Sequence, residues 1–232
     1  VPDLDELERR GATIGRIVVH REDIFDLDDP RENRALYRAA NALHYQTRER
    51  TVRAQLLFAP GERVARQKFE ETERILRSRR YLSEAWVVPS AYDEQHNTAD
   101  VAVTVRDVWT LNPSLSLGRA GGQNRSQVQL EEENLLGTGT NLAVARARSV
   151  DRTSTLFSIF NPDLNGSWWQ VGLNYADNSD GRVKSGSLER PFYALDTRNA
   201  GGGYASDEVP HARRLGELYN RSSFPGQGSG EL

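Results

Sequence analysis

The sequence contains no cysteine and no methionine, and its only lysines are Lys68 and Lys184 among 30 basic residues. Without cysteine there is no disulfide, no thiolate metal ligand and no thiol nucleophile. That absence fits an oxidising compartment which avoids stray thiols, although many cytosolic domains also lack cysteine. With no methionine even at the first position, the chain is expected to be a processed or truncated piece from which any signal peptide has been removed. Long hydrophobic runs are missing too. Apolar residues make up 37% of the chain and the mean hydropathy is −0.67. No segment approaches the roughly 18 apolar residues that a membrane-crossing helix requires. A transmembrane barrel is not excluded, because its strands show lipid only alternate residues and read as half polar. The net charge of −3 offers no basic footprint for nucleic acid.

What is present organises around 127–147, QVQLEEENLLGTGTNLAVARA. Val128 and Leu130 alternate with Gln127, Gln129 and Glu131; Leu142 and Val144 alternate with Ala143, Ala145 and Ala147. Period-two alternation puts successive side chains on opposite faces of a strand. Gly137 and Gly139 between the two runs can take positive φ without a Cβ penalty. An antiparallel hairpin is expected, and similar runs at 114–121, 126–133, 140–149, 153–160, 168–176, 182–189 and 198–206 extend it into a β-meander. Turns are expected at Gly121-Gly122, at 150–152, at 161–163 and at 177–181.

Upstream the texture differs. Residues 1–11 are polar and read as a tether. A β-branched cluster at Ile14, Ile17, Val18 and Val19 predicts a strand over 12–25. Asp29-Pro30-Arg31-Glu32 carries the signature of a helix start, with a capping acid, proline at the first helical position and a glutamate three residues after the cap. That helix is expected to run to His44 with Leu36, Ala40 and Leu43 on one stripe. Two further helices are expected over 47–58 and 63–80, the second burying Ala65, Phe69, Thr72 and Leu76 with Ile75 beside them. Strands are expected over 83–92 and 99–111, with Val101, Val103, Val105 and Trp109 on one face. Pro89 cannot donate to a ladder, which makes the first of these the edge and the second central. Helices covering one face of a three-stranded sheet form an α+β layer arrangement.

Candidate chemistry is sparse. His20, His44, His96 and His211 are scattered without metal-ligand spacing. The run 177–181 lacks the alternating acids and later glutamate of a calcium loop, and it reads as a hairpin turn. Adjacent glutamates 131–133 point to opposite faces of a strand and make no dyad. There is no GxSxG and no P-loop. No catalytic residue, metal or cofactor is expected. Binding through backbone remains: the edge around Ala85, Trp86, Val87 and Val88 offers N–H and C=O groups to which an extended partner segment can add, unless the edge is merely protected. On pattern alone the meander fits an outer-membrane barrel and a soluble β-sandwich equally. A second face of Ser, Gln, Asn, Gly and Ala suits a water-filled lumen better than a dry core.

These pieces also resemble a known family. LLFAPGE (56–62), FEETERILRSRRYL (69–82) and the paired strands ending in VAVTVRDVWTL resemble a POTRA domain, the periplasmic β-α-α-β-β module, here with an extra helix. NLLGTG (134–139), FNPDL (160–164), LNYADNSDG (173–181) and LERPFYALDTR (188–198) resemble, in the same order, the opening strands of the BamA/TamA superfamily of outer-membrane assembly barrels. The resemblance implies a POTRA-like periplasmic domain at 12–111, the first strands of a transmembrane β-barrel at 112–206, and a loop or truncated continuation at 207–232. It departs from the pattern in the extra helix 31–44 and in lacking the closing aromatic-ended strand. It implies a non-enzymatic factor in the bacterial outer membrane that captures unfolded outer-membrane clients by strand addition. Periplasmic accessory proteins and the lipid bilayer would be its other partners. It further implies a yielding seam at the first barrel strand, with Leu115, Leu117, Gly118 and Gly121, and membrane-interface aromatics at Trp168, Trp169 and Tyr175. A secretion or transport pore on the same scaffold, with or without a catalytic domain elsewhere, and a soluble periplasmic β-rich binding protein are the alternatives.

Overall fold

The computed structural model describes residues 1–120 and 122–210. It contains two sheets. The first is three-stranded in the order β1-β3-β2, built from β1 (Thr13–Glu22), β2 (Leu82–Asp93) and β3 (Thr98–Asp107). β1 runs parallel to β3 and β2 antiparallel to it. Four helices accompany this sheet: α1 (Leu4–Arg9), α2 (Ala35–Leu43), α3 (Glu49–Arg53) and α4 (Arg66–Arg77). β3 lies centrally and alternates strictly, with Ala99, Val101, Val103 and Val105 buried. The core pairs this face with Phe69 and Leu76 of α4, Val52 of α3, Leu7 of α1 and Phe58, whose ring stacks on Phe69 at 4.5 Å.

Several expectations are corrected here. Residues 1–11 are not a tether. Asp3 accepts the Glu6 N–H at 2.8 Å as an N-cap, and Leu7 is fully buried in the core. The helix expected from 31 begins at Ala35 without a side-chain cap. The carboxylate of Asp29 instead takes the Arg31 N–H (2.9 Å) and guanidinium (2.8 Å), while Glu32 reaches back to the Asp26 N–H at 2.7 Å. The capping groups are thus spent on local turns, the competing use of such side chains. Of the stripe Leu36, Ala40, Leu43, the two leucines face away from the core and Ala40 is half-buried; the helix is held by Tyr37 stacked on Phe25 at 4.2 Å and by Asn41 bonded to the Phe25 backbone. β3 ends at Asp107, so Trp109 leaves the face of Val101, Val103 and Val105 and is exposed. The strand stops where buried Asp107 accepts the Thr47 N–H at 2.7 Å and pairs with His44 Nε2 at 2.8 Å.

The second sheet is a seven-stranded antiparallel meander of β4 (Leu111–Ala120), β5 (Gln123–Glu132), β6 (Asn141–Arg148), β7 (Thr153–Asn161), β8 (Gln170–Asn178), β9 (Gly181–Arg190) and β10 (Gly201–Pro210). Residues 207–210, expected in a loop or a truncated barrel continuation, continue β10. The rest of that stretch, 211–232 with His211, lies outside the described residues, as does Gly121.

No second sheet packs on this one among the described residues. Its two faces are nonetheless distinct. Register pairs Leu115 with Val128, Leu130 with Val144, Val144 with Phe157, Ile159 with Leu173 and Val171 with Leu188, all on one face. The other face carries Ser114, Ser116, Gln127, Gln129, Glu131, Ser158, Asn174 and Ser185, linked by Gln127 to Gln129 (3.2 Å), Ser158 to Asn174 (2.7 Å) and Asn174 to Ser185 (3.4 Å). The apolar face is the open one: Leu117 is 73% and Val144 44% exposed, whereas Ala145 on the polar face is 6% exposed. A single layer acquires that asymmetry by curling toward its polar side. A sandwich would bury its apolar face, and among the described residues nothing covers it.

Register shows more. From β4 to β9 the centre of the apolar band moves from between Pro113 and Leu115 to between Gly186 and Leu188. That is a shift of about four residues over five strand steps; with a rise of about 3.4 Å and a spacing near 4.8 Å it corresponds to a strand tilt of roughly 30°. Barrel strands tilt by about 35–45°. Strands tilted as in a barrel would keep such a band close to level.

Candidate functional site: the domain junction and two sheet edges

Three connections leave the sheet at the end next to the first domain: β5–β6, β7–β8 and β9–β10. The first two are built alike. In each, one turn of 3₁₀ helix (Leu135–Gly137, Leu164–Gly166) contains a non-glycine residue with positive φ, Leu136 at 53° and Asn165 at 54°, followed by a glycine at 72° and 75°. The Leu135 N–H donates to the Thr140 carbonyl at 2.8 Å, as Leu164 does to Trp169. The Asn134 Oδ1 accepts the Gly139 N–H at 2.7 Å, as Asp163 Oδ1 accepts that of Trp168 at 2.8 Å. Trp168 thus occupies the place of Gly139 with φ at 62°, a costly conformation for a bulky side chain. Its ring stacks on Tyr193 at 4.2 Å.

The first and third connections bond to the helical side of the first domain, and the second packs against it at Ala54. The Gly137 carbonyl accepts the Arg48 N–H and the Thr51 hydroxyl, both at 2.9 Å, and Asn134 Nδ2 donates to Thr47 Oγ1 at 2.8 Å. A Cβ on Gly137 would collide with the Gln46 carbonyl, and one on Gly166 would press on Ala54. The Leu195 N–H donates to Glu71 Oε2 at 3.1 Å, and Ala194 beside it is buried. Arg80 Nη2 meets Glu133 Oε1 at 2.8 Å. A polar cleft of about 380 Å³ remains between α3 and the turns, bordered by Arg50, Gln55, Tyr81, Thr140 and Asp163. Burial raises the carboxyls of Asp163 and Glu133 above the ordinary range, against the pull of Arg79 and Arg80 respectively. Burial likewise raises the Tyr81 phenol, whose hydroxyl accepts from Gln55 Nε2 at 2.8 Å.

The sequence-derived sites sit on two different edges. Ala85, Trp86, Val87 and Val88 lie on β2, the outer strand of the first sheet, with Ala85 and Val87 turned into the core and Trp86 and Val88 exposed. The Val87 N–H donates to Glu73 Oε2 of α4 at 3.2 Å, so the middle of this edge carries a carboxylate cover. Leu115, Leu117 and Gly118 lie on β4, which pairs only with β5 among the described residues. The two leucines belong to the open apolar face, and Gly118 has open space where a side chain would stand. Tyr175 shares the apolar face, paired with Phe157. Trp168 and Trp169, expected to begin a strand, belong to the turn before β8. Trp168 is thereby committed to Tyr193 at the junction rather than to the outward row. Among the described residues no group of three or more His, Asp or Glu side chains gathers as metal ligands. The junction itself was not anticipated. The likeness of N-L-L-G-T-G-T to D-L-N-G-S-W-W marks the repeated turn but not what the turns touch.

The fold is shared with solved β-barrel proteins. BamA from Haemophilus ducreyi lacking POTRA domains 1–3 superposes with a TM-score of 0.54 at 16% identity, over 90% of this chain and 40% of that one. CdiB from Acinetobacter baumannii gives 0.53 at 12% identity, over 87% and 39%. This chain therefore spans about two fifths of the length of either. The seven-stranded sheet matches a stretch of barrel wall. No protein-family model and no curated protein matches the sequence.

Proposed function

We propose that this chain is a POTRA-type periplasmic domain locked to the opening strands of an outer-membrane barrel that inserts or translocates other proteins. One observation carries the reading: a single sheet leaves its apolar face the more open of the two, with an apolar band that drifts across the strands as tilted barrel strands require. Hydrocarbon outside and water inside reward that arrangement, and an aqueous exterior does not. The likeness to BamA and CdiB supports the same fold assignment. Within this reading β4 is the seam strand, with Leu115 and Leu117 toward lipid and Gly118 leaving the wall thinly packed. The β2 edge around Trp86 and Val88 receives extended segments of unfolded clients or of periplasmic accessory proteins. The ladder of Ser, Gln and Asn on the inner face equally supports a secretion pore on the same scaffold.

The membrane half of the proposal is tested by paired substitutions in the full-length protein. Leu130→Arg is expected to cost about 2–4 kcal/mol near the bilayer midplane and to abolish recovery in the outer-membrane fraction, while Gln129→Arg on the opposite face is tolerated. Equal recovery of both variants would remove the barrel reading. The client half is tested with photo-crosslinkers at Trp86 and Leu117: adducts with precursor barrel proteins are expected. Adducts only with lipid, together with steady ion conductance, would favour the pore.

A further inference from the structure

α2 is a helix turned inside out. Leu36 and Leu43 lie one heptad apart on its apolar stripe and are 75% and 74% exposed, and no residue of the helix is buried. Its attachment to the domain uses Tyr37 and Asn41 instead. A soluble domain normally directs such a stripe inward. The stripe also does not end with the helix. Leu43 and Tyr45 border a shallow pocket whose other walls include Trp109, Leu111 and Leu136, and Tyr45, Trp109 and Leu136 are all exposed. Leu111 opens β4 on the apolar face of the sheet, in line with Pro113, Leu115 and Leu117. One apolar surface therefore runs from α2 through an aromatic pair onto the wall.

We infer that α2, with Tyr45 and Trp109, lies in the headgroup region of the periplasmic leaflet beside the first barrel strand. This rests on the barrel reading above, since continuity with a lipid-facing wall decides which occupant covers the patch. Charge agrees with it. α2 carries no acidic residue, and the exposed Arg34 and Arg38 flank its polar side. Leucines on one face, arginines on the other and amphipathic rings at the margin are what an interfacial helix presents to anionic lipid. Trp109 Nε1 already donates to the Leu111 carbonyl at 2.6 Å, so its polar edge is satisfied and its ring enters the interface without an orphaned donor. The helix so placed anchors the domain next to the seam, where the bilayer must yield for strand insertion.

This chain has no native cysteine, so once any cysteine outside it is replaced the full-length protein can be labelled at single sites. Leu36→Cys, Leu43→Cys, Leu130→Cys as a wall control and Ser90→Cys as an aqueous control would carry a small fluorophore. They would be reconstituted in vesicles of phosphatidylethanolamine with a minority of phosphatidylglycerol. Labels at 36 and 43 are expected to be quenched by lipids brominated near the headgroup and shielded from iodide roughly fivefold relative to position 90. The double variant Arg34→Glu/Arg38→Glu is expected to reduce that shielding in anionic vesicles only. If position 130 is lipid-quenched while 36 and 43 meet iodide as freely as 90, this inference falls and the barrel stands. If 36 and 43 are shielded from iodide but untouched by brominated lipid, a protein covers the patch and the inference also falls. If position 130 itself escapes brominated lipid, the barrel reading falls first.

Discussion

Substituting Gly137 by alanine isolates the contact that fixes the barrel wall to the first domain. Gly137 has φ of 72°, a Cβ there would collide with the Gln46 carbonyl, and its own carbonyl accepts the Arg48 N–H and the Thr51 hydroxyl. Forcing an L-residue into the left-handed region costs about 1–2 kcal/mol. The collision is with backbone and cannot be relieved by a rotamer change. Separating the two chains far enough to seat the methyl removes both hydrogen bonds, each worth about 1 kcal/mol net. The sum is about 3–4 kcal/mol. Gly122 supplies the reference: it has φ of 80° in the β4–β5 turn, and a Cβ there would meet nothing within 4 Å. Gly122→Ala should therefore cost only the left-handed penalty. The difference, about 2 kcal/mol, corresponds to roughly thirtyfold in an opening equilibrium. Hydrogen exchange of the Arg48 amide in the reconstituted protein reads that opening directly. Faster exchange is expected in Gly137→Ala and unchanged exchange in Gly122→Ala. Equal behaviour of the Arg48 amide in the two variants would refute the assignment of Gly137 as the contact point.

Trp168 pairs a strained backbone with a ring stack, so the order of its variants is informative. Trp168→Ala keeps the left-handed cost and loses the stack on Tyr193, whereas Trp168→Gly loses the stack but relieves the backbone. The alanine variant should be the less stable by about 1 kcal/mol in denaturant midpoints of the reconstituted protein. Asp163 is held above the ordinary carboxylate range by burial. The folded protein therefore binds its proton more readily than the unfolded chain. Stability contributed at this site falls as pH rises from the ordinary carboxylate range through the raised value. Asp163→Asn keeps an acceptor for the Trp168 N–H and should flatten the pH dependence of the thermal midpoint in that window alone. At the β2 edge, Glu73→Ala frees the Val87 N–H for an incoming strand. It should tighten binding of an extended β-prone peptide about fivefold by titration calorimetry, and Val87→Pro should abolish the gain. Unchanged affinity in Glu73→Ala would show that the edge is not a binding strand.

Elements whose residues answer to one local rule were legible in the sequence. The seven wall strands alternate, and alternation survives in any packing, so their positions were readable to within a few residues. Which face meets lipid could not be read from alternation. The proposal that the apolar face meets lipid needed the composition of the second face and the open apolar surface around Val144 and Leu117. Local rules failed where a group had two uses. Asp29 and Glu32 fit a helix start, yet both serve turns within 26–32. The stripe Leu36, Ala40, Leu43 had the right spacing for a core helix, but spacing carries no sign, and its two leucines face outward. Asp3 and Leu7 sit in a stretch too short and too charged to read as a helix, but the N-cap and one buried leucine suffice to dock it. The junction was invisible for a different reason. Its bonds join Thr47, Arg48 and Thr51 to Asn134 and Gly137, and no pattern within either segment announces the other.

The lengths of the connections carry the same message. At the far end of the sheet the strands are joined tightly, through 121–122, 149–152 and 179–180; at the domain end they are joined by 133–140, 162–169 and 191–200. On the proposed reading the domain side is periplasmic, where transmembrane barrels ordinarily carry their short turns, with longer loops outside. The inversion follows from what the domain-side connections touch. A two-residue hairpin turn has no spare carbonyls or amides to present, because its backbone groups close the hairpin. The longer turns give Gly137 O, Asn134 Nδ2 and the Leu195 N–H to the helices of the first domain while Leu135 and Leu164 close the hairpins. Bonds from the β5–β6 and β9–β10 connections, with Gly166 of β7–β8 packed on Ala54 between them, hold the helical surface at separate points and resist rotation about any one of them. The link 108–110 between β3 and β4 is held at both ends as well, by the Val108 N–H donating to the Tyr81 carbonyl at 3.1 Å and the Thr110 carbonyl accepting the Glu133 N–H at 3.1 Å.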